Sequence, residues 1–311
     1  MSFSNDVRNE IARIIPDKAC CRKAELSALL LFSGQPVEDN SEDWVVHVAV
    51  ENAVTARKIY QLLKETYGWT ATVDSEQRRR FKKTRSYEVT SRLPPQAALQ
   101  LEELGLIPEG QRSHLKRSLL TKTCCKRAFI RGLFLSRGFI GRPEGNYHLE
   151  LVVNDSRLSA EVRKLLHKLD LEARVIERKS HLVIYLKESE KIVDFLRMVG
   201  ASRALLNFEN VRILKSMRNS VNRQVNCETA NLAKTIDASV RQVELMERLI
   251  KARGWDQLAP QLKELALLRL EYRDSTLKEL GEMLSPPLSK SGAAYRMRRL
   301  EQIAERLLDH S

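Results

Sequence analysis

The 311-residue sequence predicts an α+β protein made of two similar units in tandem, followed by an all-α module. Three observations lead there. A fifteen-residue block from Cys20 to Gly34 recurs as Cys124 to Gly138, 104 residues later. Segments of alternating and of helical apolar spacing follow each copy in the same order. After Ala201 the alternation stops and only helical spacing continues.

Each block opens with a cysteine pair and two basic residues, keeps Ala24/Ala128, Leu29/Leu133 and Leu31/Leu135 in step, and ends on Gly34/Gly138. The first helix is apolar on more than one face (Leu26, Leu29, Leu30, Leu31, Phe32), so it belongs between a partner helix and a sheet. Ala28/Gly132 and Gly34/Gly138 are small enough for two such helices to approach closely, which predicts a buried pseudo-dyad. Each unit then reads as an alternating strand, an amphipathic helix, two more strands and a closing helix. In the first unit the strands are Trp44–Val50, Thr70–Asp74 and Arg85–Thr90, with a helix from Asn52 to Tyr67. In the second they are Tyr147–Val153, Ala173–Arg178 and His181–Leu186, with a helix from Asp155 to Leu169. Ile59, Leu62 and Leu63 of the first helix match Val162, Leu165 and Leu166 of the second. The two units are assigned to residues 1–110 and 111–204.

Residues 205–222 read as a linker helix, Leu205 to Ser220, running into a polar stretch around Asn219, Asn222 and Asn226. Residues 223–311 form the helical module, with helices at 228–252, 258–272, 277–284 and 290–307. Thr276-Leu277-Lys278-Glu279 fits a capping box, so a helix starts at Leu277. Leu277, Leu280 and Leu284 make its apolar face, Pro286-Pro287 halts it, and Ser289 or Ser291 can cap the next. That next helix carries Lys290, Tyr295, Arg296, Arg298 and Arg299 before its first acid, Glu301, with Ala294, Met297, Leu300 and Ile303 toward the core. Any three-helix bundle yields this outline. A basic second helix after a tight turn nevertheless fits a helix-turn-helix that reads the major groove.

Composition bounds the function. With 43% hydrophobic and 30% charged residues the chain is an ordinary folded protein. Its longest apolar stretch, Leu26 to Phe32, falls far short of the roughly 20 residues that span a bilayer. The start, MSFSNDVRNEIARII, has charges where a secretory signal needs an apolar core, so no membrane partner and a cytoplasmic, nucleoid-associated location are expected. A net charge of +13 makes double-stranded DNA the leading partner. The excess lies early: residues 1–222 hold 38 Lys+Arg against 27 Asp+Glu. It is concentrated in Arg78, Arg79, Arg80, Lys82, Lys83 and Arg85, and in an acid-free run from Gln111 to Arg127.

Other chemistries lack support. The sequence has no phosphate-binding GxxxxGK[ST] and no nucleophile-elbow GxSxG, so no cofactor, no small-molecule substrate and no enzyme activity are expected. The cysteines (Cys20, Cys21, Cys124, Cys125, Cys227) show no CxxC spacing and the histidines no HExxH, so no metal is assigned. The two cysteine pairs, being repeat-equivalent, have a four-thiolate site as their alternative to ordinary buried thiols.

Two signature helices at a pseudo-dyad, each followed by a sheet, resemble the LAGLIDADG homing-endonuclease fold, in which the sheets form a saddle over DNA. The signature aligns with LSALLLFSG (Leu26–Gly34) and IRGLFLSRG (Ile130–Gly138). In that family the residue before the last glycine is acidic and ligates Mg²⁺ between the scissile phosphates. Ser33 and Arg137 stand there, so the resemblance implies a scaffold whose metal-ligand positions are lost. Glu38, Asp39 and Glu144 nearby are read as solvated loop residues.

Further motifs are Cys124-Cys125-Lys126-Arg127-Ala128-Phe129 with Arg131-Gly132, Tyr147-His148-Leu149-Glu150, Asn226-Cys227-Glu228-Thr229-Ala230-Asn231, Leu280-Gly281, and Ser285-Pro286-Pro287-Leu288-Ser289-Lys290-Ser291-Gly292. With these the chain resembles the WhiA sporulation-regulator family over nearly its whole length. The first fifteen or so residues and Val37–Asp43 carry no match. The resemblance implies a bacterial transcription regulator of sporulation or, in non-sporulating relatives, of cell division and chromosome segregation.

On this reading Lys290, Ser291, Tyr295 and Arg298 meet base edges, while Arg296 and Arg299 hold phosphates. The saddle adds phosphate contacts from the hairpin bearing Arg78, Arg79, Arg80 and Lys82 and from its counterpart at Arg174, Arg178 and Lys179. Three alternatives stay open: a saddle that docks a second transcription regulator or a sigma factor with RNA polymerase, an architectural chromosome binder, and a residual homing endonuclease.

Overall fold

A computed structural model describes residues 2–38, 44–78, 84–94, 97–106, 114–253 and 258–309. Two compact units divide the chain, residues 1–215 and 216–311. The first contains α1 (Phe3–Ile11), α2 (Ala19–Ser33), β1 (Gly34–Glu38), β2 (Trp44–Val50), α3 (Ala53–Tyr67), β3 (Thr72–Arg78), β4 (Thr84–Leu93) and α4 (Ala97–Glu103). After a 3-10 turn at Arg117–Leu120 come α5 (Thr123–Arg137), β5 (Gly138–Ile140), β6 (Leu149–Val153), α6 (Ser156–His167), β7 (Arg174–Arg178), β8 (His181–Leu186) and α7 (Ser189–Val199).

The sheets are antiparallel with orders β1-β2-β4-β3 and β5-β6-β8-β7, so the sequence repeat is a repeat of topology. Trp44 pairs with Leu93 and Val50 with Tyr87 in one sheet, and Leu149 with Leu186 in the other. Each sheet has one strand more than the alternation predicts. In β1 the signal is broken by Pro36, tolerated because β1 is an edge strand, paired among the described residues with β2 alone. β5 has three residues, too few to show a period.

Both repeats start their amphipathic helix on a side-chain cap. Asn52 Oδ1 accepts from the backbone N–H of Val54 and Thr55, and Asp155 Oδ1 from that of Leu158. The apolar residues of α2 and α5 meet across the pseudo-dyad: Leu26, Leu29, Leu30, Ile130, Leu133 and Phe134 are fully buried. The helices touch almost backbone to backbone. A Cβ added at Gly132 would lie 2.6 Å from the Glu25 carbonyl oxygen and 2.9 Å from Ala28 Cβ.

Inside this apolar contact lies an ion network that the hydrophobic pattern does not announce. Glu25, wholly buried, takes Lys58 Nζ at 2.5 Å and Arg131 in a two-pronged contact at 3.0 and 3.1 Å. Lys58 also donates to the carbonyls of Ile11 and Ile14. Burial pushes the Lys58 ammonium down to about 8, although Glu25 pulls it upward. α1 is fastened to the second repeat: the Glu10 carboxylate accepts from the backbone N–H of Arg203 and Ala204 at 2.6 and 3.0 Å, and the ring of Phe3 packs 6.2 Å from Phe208.

A single helix, α8 (Ser202–Arg253), replaces the linker helix and the separate helix expected from 228. The polar stretch around Asn219–Asn226 is helical, because no Gly or Pro occurs between 202 and 253 and each Asn costs well under about 1 kcal/mol in a helix. The second unit continues with α9 (Pro260–Glu271), α10 (Leu277–Met283) and α11 (Lys290–Asp309). Met246 and Leu249 from the end of α8 join Leu265, Leu280, Met297 and Leu300 in its core. Arg269, buried by this packing, donates to Ser239 Oγ at 3.2 Å and the Ser275 carbonyl at 2.5 Å, tying α8 to the loop before α10.

Candidate nucleic-acid interface

In the second unit, hydrogen bonds fix the ends and the turn of the helix pair. At the start of α10 the Thr276 N–H donates to Glu279 Oε2 at 2.6 Å, and the Glu279 N–H returns to Thr276 Oγ1 at 3.4 Å. These bonds complete the capping box and hold the Glu279 carboxyl below its usual range. The turn is pinned by Gly281: its carbonyl accepts from Leu288 N–H at 2.8 Å, and a Cβ there would sit 2.6 Å from the Leu288 carbonyl oxygen. Of the two serines able to cap α11, Ser289 does so, accepting from Gly292 N–H at 3.3 Å, while the Ser291 hydroxyl lies 3.0 Å from that of Ser289.

Ala293, Met297, Leu300 and Ala304 form the buried stripe of α11. Ala293, not the expected Ala294, is the innermost residue of its first turn, since i, i+4, i+7, i+11 spacing back from Ala304 falls on 293; Ala294 and Ile303 are half-buried. Lys290, Ser291, Tyr295, Arg298 and Arg299 are exposed, the Tyr295 ring 63% so. Ser291, Tyr295, Arg298 and Arg299 follow i, i+4, i+7, i+8, one continuous face. Arg296 differs: it is half-buried, and one of its guanidinium nitrogens is buried with no hydrogen-bond partner among the described residues.

The first unit carries another basic set. Arg174 and Arg178 are exposed on β7, and Lys179 occupies the left-handed region (φ 58°) in the turn to β8. Arg178 is partly engaged, 3.5 Å from Glu150 Oε1. Arg78 ends β3, whereas Arg79, Arg80 and Lys82 lie outside the described residues.

At the carboxyl ends of α2 and α5 opens a cavity of about 620 Å³, lined in part by Arg8, Ser33, Glu51, Asn52, Arg85 and Arg137. Arg137 Nε donates to the Phe32 carbonyl at 2.8 Å, across the pseudo-dyad. Arg8 donates to the Gly138 carbonyl and stands 5.8 Å from the Phe134 ring centre. Burial lowers its pKa, opposed by Glu51. A hard cation such as Mg²⁺ needs several oxygen ligands, and this lining supplies three guanidinium groups and one carboxylate, Glu51. The residues present do not fit such an ion. The sequence reading missed Arg8; the available signal was its place beside Val7 and Ile11, on the border of the buried face of α1. No helix among the described residues is long and apolar enough to cross a membrane.

Two repeats sharing a signature-helix interface, then a capped helix-turn-helix, define a LAGLIDADG-like protein with a C-terminal DNA-binding domain of the helix-turn-helix class. Family models match each part: the WhiA N-terminal LAGLIDADG-like domain over residues 19–107, the WhiA LAGLIDADG-like domain over 126–218, and the WhiA C-terminal HTH domain over 221–304. The chain belongs to the WhiA family. It is 59% identical to the "Probable cell division protein WhiA" of Syntrophomonas wolfei over 99% of both chains. It is 47% identical to the protein so named in Desulfitobacterium hafniense (strain Y51), over 100% of this chain and 98% of that one. The crystal structure of full-length WhiA from Thermatoga maritima is similar at a TM-score of 0.61 and 25% identity, covering 98% of this chain and 99% of that one.

Proposed function

We propose that this protein is a sequence-specific DNA-binding transcription regulator, acting at the nucleoid in the control of cell division, sporulation or chromosome segregation, and that it does not cleave DNA. The observation that carries the reading is the exposed face of α11: a hydroxyl, a phenol and cations at helical spacing, on a helix whose opposite stripe is locked in the core. Lys290, Ser291, Tyr295 and Arg298 read base edges, and Arg299 and Arg296 hold phosphates. The basic residues of the first unit, Arg78, Arg79, Arg80, Lys82, Arg174, Arg178 and Lys179, add sequence-independent affinity. Because both surfaces are on one chain, the second contact is intramolecular and neither need be strong alone. Ser33 and Arg137, where the LAGLIDADG fold places acids, support a scaffold without metal-dependent chemistry.

The test incubates the full chain, Arg298→Ala, and an Arg78→Ala/Arg79→Ala/Arg80→Ala variant with sheared genomic DNA and Mg²⁺, then sequences bound fragments and their ends. The proposal expects a recurrent motif for the full chain, its loss in Arg298→Ala, and no new ends. Recurrent cut ends would restore the endonuclease, and bound DNA without a motif would mean an architectural binder. A second reading has its own support: exposed Asp74 and Glu76 on β3 and Glu177 on β7 repel phosphate, which suits a saddle that docks a second regulator or a sigma factor with RNA polymerase. Under that reading the triple arginine variant binds DNA as well as the parent.

A further inference from the structure

The other end of the signature helices holds a feature that DNA binding does not use. Cys20 and Cys21 are the second and third residues of α2, and Cys124 and Cys125 occupy the same places in α5. Packing the helices across the pseudo-dyad brings the four Sγ atoms within 4.8 Å of one another. Cys21 and Cys125 are buried, Cys20 and Cys124 half-buried. Sulfurs bound tetrahedrally to one Zn²⁺ at about 2.3 Å stand about 3.8 Å apart. The longest separation therefore closes by about 1 Å at most, within the reach of side-chain rotation.

The surroundings suit an anionic sulfur cluster. Neither helix has an acid in its first turn, and neither N-cap, Lys18 or Lys122, makes a side-chain capping bond. Both cysteine pairs thus lie in the first turn of a helix, at the positive end of its dipole. Lys18, Arg22, Lys122 and Lys126 add cationic side chains around the two cysteine pairs in the sequence. The donor set is sulfur alone, which selects a borderline or soft cation and discriminates against Mg²⁺ and Ca²⁺. Each repeat supplies two ligands, so the full set exists only when the repeats are packed together.

We propose that Cys20, Cys21, Cys124 and Cys125 form a four-thiolate site for one Zn²⁺, which staples the two repeats at the end of the helix pair remote from Ser33 and Arg137. The sequence alone assigns no metal, because CxxC spacing is absent, and keeps a four-thiolate site as the alternative; the spacing rule concerns ligands from one local loop, whereas these converge through internal symmetry. Binding is an exchange without redox change, in which Zn²⁺ enters, four thiols each give a proton to solvent, and four Zn–S bonds form. From Cys20 to Ser33 is thirteen helical steps, about 20 Å, so the site lies outside the basic cavity. The inference stands apart from the proposed function and survives whether or not the saddle meets DNA.

The test uses full-length protein, stripped with chelator under reductant and titrated anaerobically with Co²⁺, then with Zn²⁺. The expected result is the intense visible absorption of tetrahedral cobalt with sulfur-to-cobalt charge transfer, saturating at one equivalent per chain and abolished by one equivalent of Zn²⁺. Cys20→Ser and Cys124→Ser, at half-buried positions, should each weaken Co²⁺ binding by about 100-fold or more with unchanged circular dichroism. Cys227→Ser, at the exposed cysteine, should leave it unaltered. Octahedral pale-coloured cobalt, a signal indifferent to Cys20→Ser and Cys124→Ser, or thiol titration showing two disulfides in place of metal in the anaerobic protein would each overturn the proposal.

Discussion

Replacing Gly132 by alanine tests the packing of the pseudo-dyad through the sign of its effect. In a helix interior Ala is more favourable than Gly by about 1 kcal/mol, so a Gly132 with room around it would be stabilised by the change. Here the new methyl would sit 2.6 Å from a backbone oxygen of α2, about 0.8 Å short of the 3.4 Å at which ordinary contact begins. Glu25 owns that oxygen, and its carboxylate is fixed by Lys58 and Arg131, so α2 cannot yield locally. The helices must part instead. A gap of that size forfeits about a quarter to a half of the dispersion energy between facing atoms, and overpacked cores lose about 1–3 kcal/mol. Subtracting the propensity gain leaves a net loss of up to about 2 kcal/mol, a fall in Tm of up to about 8 °C for a unit of this size. Differential scanning calorimetry or urea denaturation of the full chain reads it, with Gly145→Ala, whose added Cβ meets nothing closer than 3.6 Å, as the control expected within about 0.5 kcal/mol. A Gly132→Ala protein more stable than the parent would refute the close approach.

Three further outcomes follow from the same geometry and from the proposed function. Glu25→Ala leaves Lys58 and Arg131 buried without their shared partner and should cost about 3–5 kcal/mol in urea denaturation; a loss below about 1 kcal/mol would mean the network is solvated. Lys58 gives up its proton near pH 8 in the native protein but holds it to about 10.5 when unfolded, so between those values unfolding takes up a proton and stability rises with pH. The parent should therefore gain on Lys58→Met by up to about 1.4 kcal/mol per pH unit from pH 8 toward 10, and a flat difference would contradict the shift. If about six phosphates are engaged, the logarithm of the DNA association constant should fall against log salt with slope about −5 in fluorescence anisotropy titrations, and a slope near zero would remove the basic faces from the interface.

The parts legible in the sequence are those whose physics is local or repeated. Thr276 with Glu279 shows as a capping box, and the Cys20–Gly34 block is found because it occurs twice. What stayed hidden depends on partners distant in the chain. Pro36 masks β1, whose edge position only the finished sheet reveals. Arg8 and Glu10 look like the polar residues of any amphipathic helix, yet one turns into the cavity beside Arg137 and the other caps α8 from nearly two hundred residues away. Glu25, Lys58 and Arg131 read as surface charges because no periodicity marks an ion that will be buried and paired. In α11 the exposed cations were legible, while the choice between Ala293 and Ala294 was not: two adjacent alanines carry no amphipathic contrast, and the close contact with Gly281 settles it.

The bond from Arg137 to the Phe32 carbonyl bears on how this lineage can change. An acid at 137 would turn a donor into an acceptor facing an acceptor, and it would unfasten the helix ends where the first repeat meets the second. Arg8, aligned on the adjoining Gly138 carbonyl, has been fitted to the same arrangement. Position 137 is entrenched: its neighbours depend on the cation, and a change to a carboxylate has to pass through a less stable intermediate before any metal is there to reward it.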